Sequence, residues 1–206
     1  MVSMERMRGI MQVLRLAEKL KFEMRHSWMS NGRQESVAEH TWRVGLMAVL
    51  IEPYIEEKLD MAKLLKMIMI HDLVEAEAKD VPAFDTLFDT ERKEQKQLAE
   101  QTAMNNIKAM LKEEPGKELQ ELWLEFEAKK TFEAKVANAL DKLEAQLQHN
   151  EASIDTWLEV EREMVYLLKP HTEFHPVLED LRKMIVTEAE EKLKEHDSVQ
   201  SAGFSE

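Results

Sequence analysis

Apolar residues recur at intervals of three and four along most of the chain, which is the spacing of helices that bury one face. Residues 4–22 show it first, with an expected buried face of Met7, Ile10, Met11, Leu14 and Ala17. The same spacing predicts further helices over residues 36–51, 60–72, 91–112, 117–128, 132–149, 154–168 and 173–194. Because only 5 glycines and 5 prolines interrupt the chain, the pattern predicts an all-α helical bundle.

Local start and stop signals place the ends of several helices. Ser36-Val-Ala-Glu39 has the form of a capping box, in which the first and last side chains bond each other's backbone N–H. Asp60 is expected to cap the helix that ends at His71 and Asp72. Breaks in the apolar spacing predict loops over residues 25–35, 75–82 and 115–116.

Length and hydropathy fit one cytoplasmic domain. The 206 residues can bury one full core, and we expect a single domain over residues 1–206 with a polar, flexible tail from about residue 196. No apolar run approaches the ~20 residues of a membrane span. Arg6, Arg8 and Arg15 interrupt the Met-rich start that a signal peptide would keep apolar. We therefore expect a cytoplasmic protein with no membrane partner.

Charge and the absence of cysteine narrow the chemistry. A formal net charge of -13 argues against nucleic-acid polymers and anionic membranes as partners, because both need a basic surface. A small phosphorylated substrate stays compatible, since a few local cations can hold it. With 0 cysteines, disulfides and thiolate metal sites are excluded, so any metal must be held by histidine and carboxylate.

Four polar residues fall on otherwise apolar helical faces, namely His40, His71, Asp72 and Asp141. Taken alone, His40 could be a satisfied core histidine, the adjacent pair an Asp–His hydrogen bond, and Asp141 a solvated carboxylate. A lone inward carboxylate is costly, so a divalent metal ion explains the set better. Four other histidines lie in polar contexts and are expected at the surface: His149, His171, His175 and His196.

Two imidazoles and two carboxylates suit one divalent ion, such as Co, Mn, Fe, Mg or Zn. Four protein ligands leave coordination positions open for water and for a substrate oxygen. Such an ion lowers the pKa of its bound water toward ~7 and polarises a phosphoryl oxygen. The set therefore favours hydrolysis at phosphorus.

The order of these residues resembles the H…HD…D pattern of the HD-domain metal-dependent phosphohydrolases. The stretches that match are residues 33–41, 70–75, 80–82 and 139–144. Within that group the chain resembles the bacterial 5'-deoxynucleotidases and their relatives, over about residues 8–165. The resemblance implies an all-α HD fold and one divalent metal held by His40, His71, Asp72 and Asp141.

The resemblance also implies roles for residues near the metal. Glu75, which follows the HD pair, would orient or deprotonate the attacking water. Asp80 would protonate the leaving 5'-oxygen or hold a sugar hydroxyl. Arg25, which precedes His40 by fifteen positions, would clamp the phosphate with planar bidentate donors.

One position departs from the family pattern. In the deoxynucleotidases the arginine is followed directly by a tryptophan that packs near the deoxyribose, whereas here His26 follows and Trp28 comes two positions later. Either side chain could form that wall, and Trp28 could instead be a loop aromatic that fills the core. Arg33 is expected to pair with Glu35 or Glu39, with a second phosphate contact as the alternative.

The sequence thus predicts a metal-dependent phosphomonoesterase that hydrolyses nucleoside 5'-monophosphates to nucleoside and phosphate, with 2'-deoxyribonucleotides preferred. The alternatives are an HD hydrolase of another nucleotide, cyclic or triphosphate, and a regulatory HD module that binds a nucleotide without turnover. The resemblance further implies a homodimer.

Overall fold

The chain is mainly helical, with one short β-hairpin. The computed structural model describes residues 3–87 and 89–203, and within them eleven helices and two strands follow one another. They are α1 (Met4–Ala17), β1 (Met24–Trp28), β2 (Gln34–Ser36), α2 (Val37–Ile51), α3 (Met61–Ile70), α4 (Glu75–Ala78), α5 (Ala83–Leu87), α6 (Thr90–Leu111), α7 (Glu113–Ala128), α8 (Phe132–Glu151), α9 (Glu159–Met164), α10 (Lys169–Thr172) and α11 (Pro176–Gly203). Single 3₁₀ turns lie at Glu18–Lys21, Glu52–Tyr54, Ile154–Thr156 and Val165–Leu168. The all-α prediction is confirmed.

Helix α8 is the centre of the bundle, and α2, α3, α7 and α11 pack around it. Leu140 of α8, Leu64 of α3 and Val44 of α2 are fully buried in one cluster. Close packing of these apolar faces fixes the three helices relative to one another. As a result Asp141, the residue after Leu140, is held inside the bundle beside α2.

The predicted starts of α2 and α3 are confirmed by their caps. The hydroxyl of Ser36 accepts a hydrogen bond from the backbone N–H of Glu39, and the Glu39 carboxylate accepts one from the N–H of Ser36. Asp60 caps α3 by accepting from the N–H of Lys63 at 3.0 Å. These caps satisfy N–H groups that a helix start leaves unpaired. They also fix where His40, in the first turn of α2, lies.

Residues 25–35 belong largely to a β-hairpin, so the loop predicted there is wrong. β1 and β2 pair antiparallel with an irregular register in which Trp28 lies opposite Gln34. Gly32 in the turn adopts a φ of 82°, which glycine takes without strain. β1 packs against α8, and we attribute the strand to this contact, because its own residues lack an apolar pattern.

Helix α1 buries a different face from the predicted one. Gly9 and Leu16 are its buried residues, and the helix packs on α6. The expected inward residues Met7, Ile10, Met11 and Leu14 are between 38% and 59% exposed. The reason is that α1 lies at the edge of the bundle and contacts α6 through a narrow stripe of residues that includes Gly9. The buried face that the apolar spacing predicts for α1 is therefore wrong.

We expect Gly9→Ala to destabilise the fold. A β-carbon at this position would clash with the backbone carbonyl of Met110 on α6, so α1 would have to move away. Overpacking of this kind costs about 1–3 kcal/mol. Gly45→Ala is the matched control, because the nearest atom to its added β-carbon is 4.0 Å away, and its better helix propensity is worth up to about 1 kcal/mol. Urea unfolding of both variants is the measurement, and equal effects would contradict the close approach at Gly9.

The break between α6 and α7 lies earlier than predicted. The chain turns at Lys112, which has a φ of 56°, and α7 already begins at Glu113. Pro115 falls in the first turn of α7, where its missing N–H removes no helical hydrogen bond. Gly116 is buried, and an added β-carbon there would lie 2.5 Å from the carbonyl oxygen of Lys108. The predicted loop at residues 115–116 is therefore wrong.

At the C-terminal end, α11 continues as helix up to Gly203. Residues 196–203, which the sequence predicts as part of a flexible polar tail, belong to this helix, and residues 204–206 lie outside the described residues. Neither α11 nor any other helix within residues 3–87 and 89–203 combines the length and apolar character needed to cross a membrane.

Candidate active site

Three elements bring the four candidate metal ligands together. His40 comes from the first turn of α2, His71 and Asp72 directly follow α3, and Asp141 lies in the middle of α8. One ligand atom each from His40, His71 and Asp72 lie within 4.8 Å of one another. Asp141 adjoins this group, because its Oδ1 is 3.1 Å from Nε2 of His40.

The two histidines turn the same nitrogen toward the centre of this group. Nδ1 of His71 donates to the carbonyl oxygen of Ile68 at 2.6 Å, and Nδ1 of His40 donates to the Glu144 carboxylate. Because Nδ1 donates in both rings, loss of the Nε2 proton on metal binding would leave each Nε2 with the lone pair that a metal-binding imidazole requires.

One buried atom in the group lacks a hydrogen bond. Nε2 of His71 lies 3.1 Å from Oδ2 of Asp72, yet the angles do not make a hydrogen bond, and this nitrogen is left unpaired. Buried polar atoms are rarely left without a hydrogen-bond partner. Nitrogen and carboxylate oxygen are suitable donors for a borderline or hard divalent ion. The donor set and the unpaired nitrogen therefore fit a divalent metal.

The carboxylates of the group are held ionised. Burial opposes ionisation of Asp72, but His71 and His40 outweigh it and lower its pKa to about 2. Burial likewise opposes ionisation of Asp141, whose pKa is nevertheless held well below its usual value by Lys142 and His40. For His40, burial and the Arg25 charge oppose protonation, but Glu144 and Asp141 raise its pKa to about 9. A divalent ion would meet two carboxylate anions here.

Glu144 is a site residue that the sequence analysis did not assign. It is fully buried, and its carboxylate binds His40, accepts from Nε of Arg43 at 2.7 Å, and lies 3.4 Å from Nη1 of Arg25. Although burial opposes it, the charges of His40, Arg25 and Arg43 lower the pKa of Glu144 to about 2. Its position one turn after Asp141 was the available sequence signal. The carboxylate orients both the His40 ring and Arg25.

Arg25 lines a cavity of about 140 Å³, to which Asp80 and Lys142, the residue after Asp141, also contribute. Its guanidinium is held by Glu35 at 3.3 Å as well as by Glu144, so the side chain is anchored from behind. Despite burial, the surrounding carboxylates raise the pKa of Arg25 further, and it stays charged. Burial and the neighbouring Glu144 raise the pKa of Glu35 to about 7. The cavity thus has a fixed cation on its wall.

Glu75 and Asp80 are placed differently. Asp80 lines the cavity, whereas Glu75 is only 5% exposed and its Oε2 has no hydrogen-bond partner. Burial and the Asp72 charge raise the pKa of Glu75 well above its usual value, and burial also raises that of Asp80. Asp80 follows Lys79, which has an unusual φ of 75°, and its N–H donates to Glu23.

The aromatic wall of the cavity centres on His26. Its ring meets Trp28 edge-on at 4.8 Å and Phe84 at 5.0 Å between centroids. His26 and Phe84 line the cavity, and Trp28, which is absent from that lining in the described part of the chain, packs against His26. Arg33 pairs with Glu39 at 2.7 Å, as predicted.

Of the four histidines expected at the surface, one is buried and three are partly exposed. His175 is 2% exposed and bonds Glu57 at 2.8 Å, while His149, His171 and His196 are half-buried. The prediction is wrong for His175, because its neighbours in the sequence are polar, whereas Glu57 and Phe132, which contact its ring, come from distant parts of the chain. His149 even lines the cavity.

Comparison with known proteins agrees with this geometry. A family model described as HD domain matches residues 17–181. The human protein named 5'-deoxynucleotidase HDDC2 is 34% identical over 146 residues, which cover 70% of this chain and 68% of that protein. A Dictyostelium discoideum protein of the same name is 33% identical over 149 residues, or 69% of this chain and 76% of the relative.

Solved structures show the same fold. A crystal structure of a predicted metal-dependent phosphohydrolase from Magnetospirillum magnetotacticum superposes with a TM-score of 0.79 at 29% identity, covering 91% of this chain and 97% of that one. A conserved hypothetical protein from Pyrococcus furiosus, at 24% identity and a TM-score of 0.63, covers 88% of this chain and 99% of its own and supports the fold alone. The chain therefore belongs to the HD-domain family of metal-dependent phosphohydrolases, among relatives that include the 5'-deoxynucleotidases.

Proposed function

We propose that this chain is a cytoplasmic, metal-dependent phosphomonoesterase that hydrolyses nucleoside 5'-monophosphates, preferably 2'-deoxyribonucleotides, to nucleoside and phosphate. The observation that carries the proposal is Arg25, which lines the cavity and is linked through Glu144 to His40 of the His40, His71 and Asp72 group. A phosphate monoester needs such a cation next to an electrophilic centre. The relatives named 5'-deoxynucleotidase support the same substrate class.

His40, His71, Asp72 and Asp141 would hold one divalent ion. When bound, that ion supplies a water of lowered pKa and polarises a phosphoryl oxygen. The unpaired Nε2 of His71 and the ionised carboxylates support this assignment. Glu144 would fix the ring of His40 by accepting a hydrogen bond from its Nδ1, as carboxylates next to metal-binding histidines commonly do.

Three further residues complete the reaction. Arg25 binds two phosphate oxygens with its planar guanidinium and offsets their charge. Glu75, in its ionised form, takes the proton of the attacking water as general base. As the new P–O bond forms and the bond to the 5'-oxygen breaks, Asp80, with its raised pKa, gives its proton to that oxygen. The products are the nucleoside and phosphate.

A substrate panel tests the proposal. Hydrolysis of nucleoside 5'-monophosphates, triphosphates and 3',5'-cyclic monophosphates is measured with each divalent metal in turn, by chromatography of all the products. Turnover of the 5'-monophosphates alone is expected. A larger kcat/KM for a triphosphate or cyclic nucleotide would replace the proposed substrate, and binding without turnover of any of them would indicate a regulatory module.

Within the monophosphates we expect a preference for the 2'-deoxy sugar. His26 and Phe84 present aromatic ring surface to the cavity, and Nδ1 of His26 is already bonded to Glu161. A 2'-hydroxyl that points at these rings and away from Glu161 would lack a hydrogen-bond partner, which costs about 1–3 kcal/mol, or roughly tenfold to a hundredfold in rate. Comparison of kcat/KM for paired deoxy and ribo monophosphates measures this. Equal values would contradict it and would leave the free nitrogen of His26 as a partner for the hydroxyl.

We also propose a homodimer formed by a second copy of this chain on the outer face of α2. Trp42, Leu46, Val49 and Leu50 form one helical stripe there and are between 39% and 65% exposed. A contiguous exposed apolar stripe is typical of an interface, and a twofold dimer would bury the same stripe of both copies.

Leu50→Glu is expected to convert the dimer to a monomer, because it would place two charges in the twofold interface. Light scattering coupled to size-exclusion chromatography gives the mass of each variant. Leu98→Glu, at a residue that is 70% exposed on α6, is the control and should stay dimeric. A monomeric wild type, or a dimer that survives Leu50→Glu, would refute this interface.

A further inference from the structure

A second polar group lines the same cavity and is not used by the proposed reaction. It consists of His26 from β1, His149 from α8 and Glu161 from α9, all of which line the cavity. Oε1 of Glu161 lies 2.9 Å from Nδ1 of His26 and 3.6 Å from Nε2 of His149. Side chains from β1 and α8 thus converge on a single carboxylate oxygen of α9.

The carboxylate of Glu161 is buried and only partly neutralised. The residue is 6% exposed, and its Oε2 accepts from the backbone N–H of Leu158 at 2.7 Å. Within the described part of the chain its ion-pair partners are the two histidines, without a lysine or arginine. Burial lowers the pKa of His149, so that ring is neutral near pH 7. A carboxylate offers about four acceptor positions, so acceptor capacity remains on Glu161, which lines the cavity.

The free acceptor positions of the Glu161 carboxylate suit a neutral hydrogen-bond donor. A phosphate is excluded beside Glu161, because two anions at close range repel each other, and the phosphate belongs with Arg25. Arg25, His26 and Glu161 all line this one cavity. The part of a nucleotide nearest the phosphate is the sugar, and the sugar would therefore lie beside His26 and Glu161. The hydrogen-bond donors of the sugar are its hydroxyl groups.

We propose that Glu161 is a substrate-binding residue whose carboxylate accepts a hydrogen bond from the 3'-hydroxyl of the nucleotide. His26 is a positioning residue that holds this carboxylate through Nδ1. The inference rests on the proposed function, because a 2'-deoxyribonucleoside 5'-monophosphate has the 3'-hydroxyl as its one free sugar hydroxyl. Glu161 would then select substrates by that group.

The test compares two substrates that differ by this hydroxyl alone. For 2'-deoxyadenosine and 2',3'-dideoxyadenosine 5'-monophosphates, the ratio of kcat/KM values is measured in wild type and variants. Hydrogen bonds to a charged group predict a wild-type ratio of roughly tenfold to a hundredfold. Glu161→Leu should bring the ratio close to one. His26→Phe, which keeps a ring but cannot donate to Glu161, should lower the ratio as well.

Two further variants keep the result interpretable. Glu161→Gln keeps an acceptor for the N–H of Leu158 and so protects the start of α9, and its neutral side chain should lower the ratio severalfold. Glu159→Gln, on the same helix with a side chain that is 84% exposed, should keep the wild-type ratio. If the wild type hydrolyses both substrates equally, or the ratio survives in every Glu161 variant, the inference is wrong and the proposed function stands. If the wild type hydrolyses neither, both are wrong.

Discussion

Asp72→Ala is expected to remove the bound metal and the activity while the helical fold persists. Asp72 shares a 4.8 Å group of ligand atoms with His40 and His71 and carries a negative charge there. Without it, two neutral imidazoles and Asp141 would hold a dication with less charge and one donor fewer. Loss of an outer-shell partner alone costs 10–100-fold in metal affinity or activity. We expect loss of a direct ligand to exceed about a hundredfold.

Elemental analysis of the purified variant measures its bound metal, and circular dichroism measures its helical content. Asp180→Ala is the matched control, since this side chain is 72% exposed on α11 and should leave both metal and activity as in wild type. A full complement of tightly bound metal in Asp72→Ala would contradict the ligand assignment.

Arg25→Ala is expected to raise KM for a phosphomonoester strongly and to leave the bound metal in place. A hydrogen bond to a charged group contributes about 1.5–3 kcal/mol, so roughly a tenfold to hundredfold rise in KM is expected. The metal should stay, because Glu144 keeps its contacts with His40 and Arg43 when Arg25 is gone. Steady-state kinetics and metal analysis on the same preparation give both values.

Arg33→Ala separates a specific phosphate contact from a general loss of positive charge. Arg33 is bound to Glu39 on the exposed side of the hairpin, and its removal should leave KM unchanged. Arg25→Lys keeps the charge without the planar pair of donors and should recover only part of the affinity. Unaltered kinetics in Arg25→Ala would exclude it as the phosphate clamp.

The parts of the fold that could be predicted from the sequence are those with local signals. The capping box at Ser36 and the cap at Asp60 depend on residues three positions apart, and both are present. His40, His71 and Asp72 stood out because each interrupts an apolar helical face, and the structure places them in one group. In these cases the sequence pattern and the packing depend on the same helical periodicity.

The parts that could not be predicted depend on partners far away in the chain. The hairpin over residues 25–35 is packed on α8, and the buried face of α1 is chosen by a close approach of Gly9 to α6. Glu144 bonds His40 across 104 positions, and Glu161 bonds His26 across 135. For Glu144 the one local sign is its position one turn after Asp141, and Glu161, a charged residue on a charged helix, has no local sign of its contact. Only the assembled bundle shows that these carboxylates are buried.

The most direct test of the central claim is a metal titration of the stripped enzyme. Chelator-treated protein receives Mn or Co in steps, and phosphate and nucleoside released from 2'-deoxyadenosine 5'-monophosphate are both measured. Activity is predicted to be absent at the start, to rise in proportion to added metal, and to level off near one ion per chain, with equal amounts of the two products. Full phosphate release without metal, or none at any metal loading, would contradict the account.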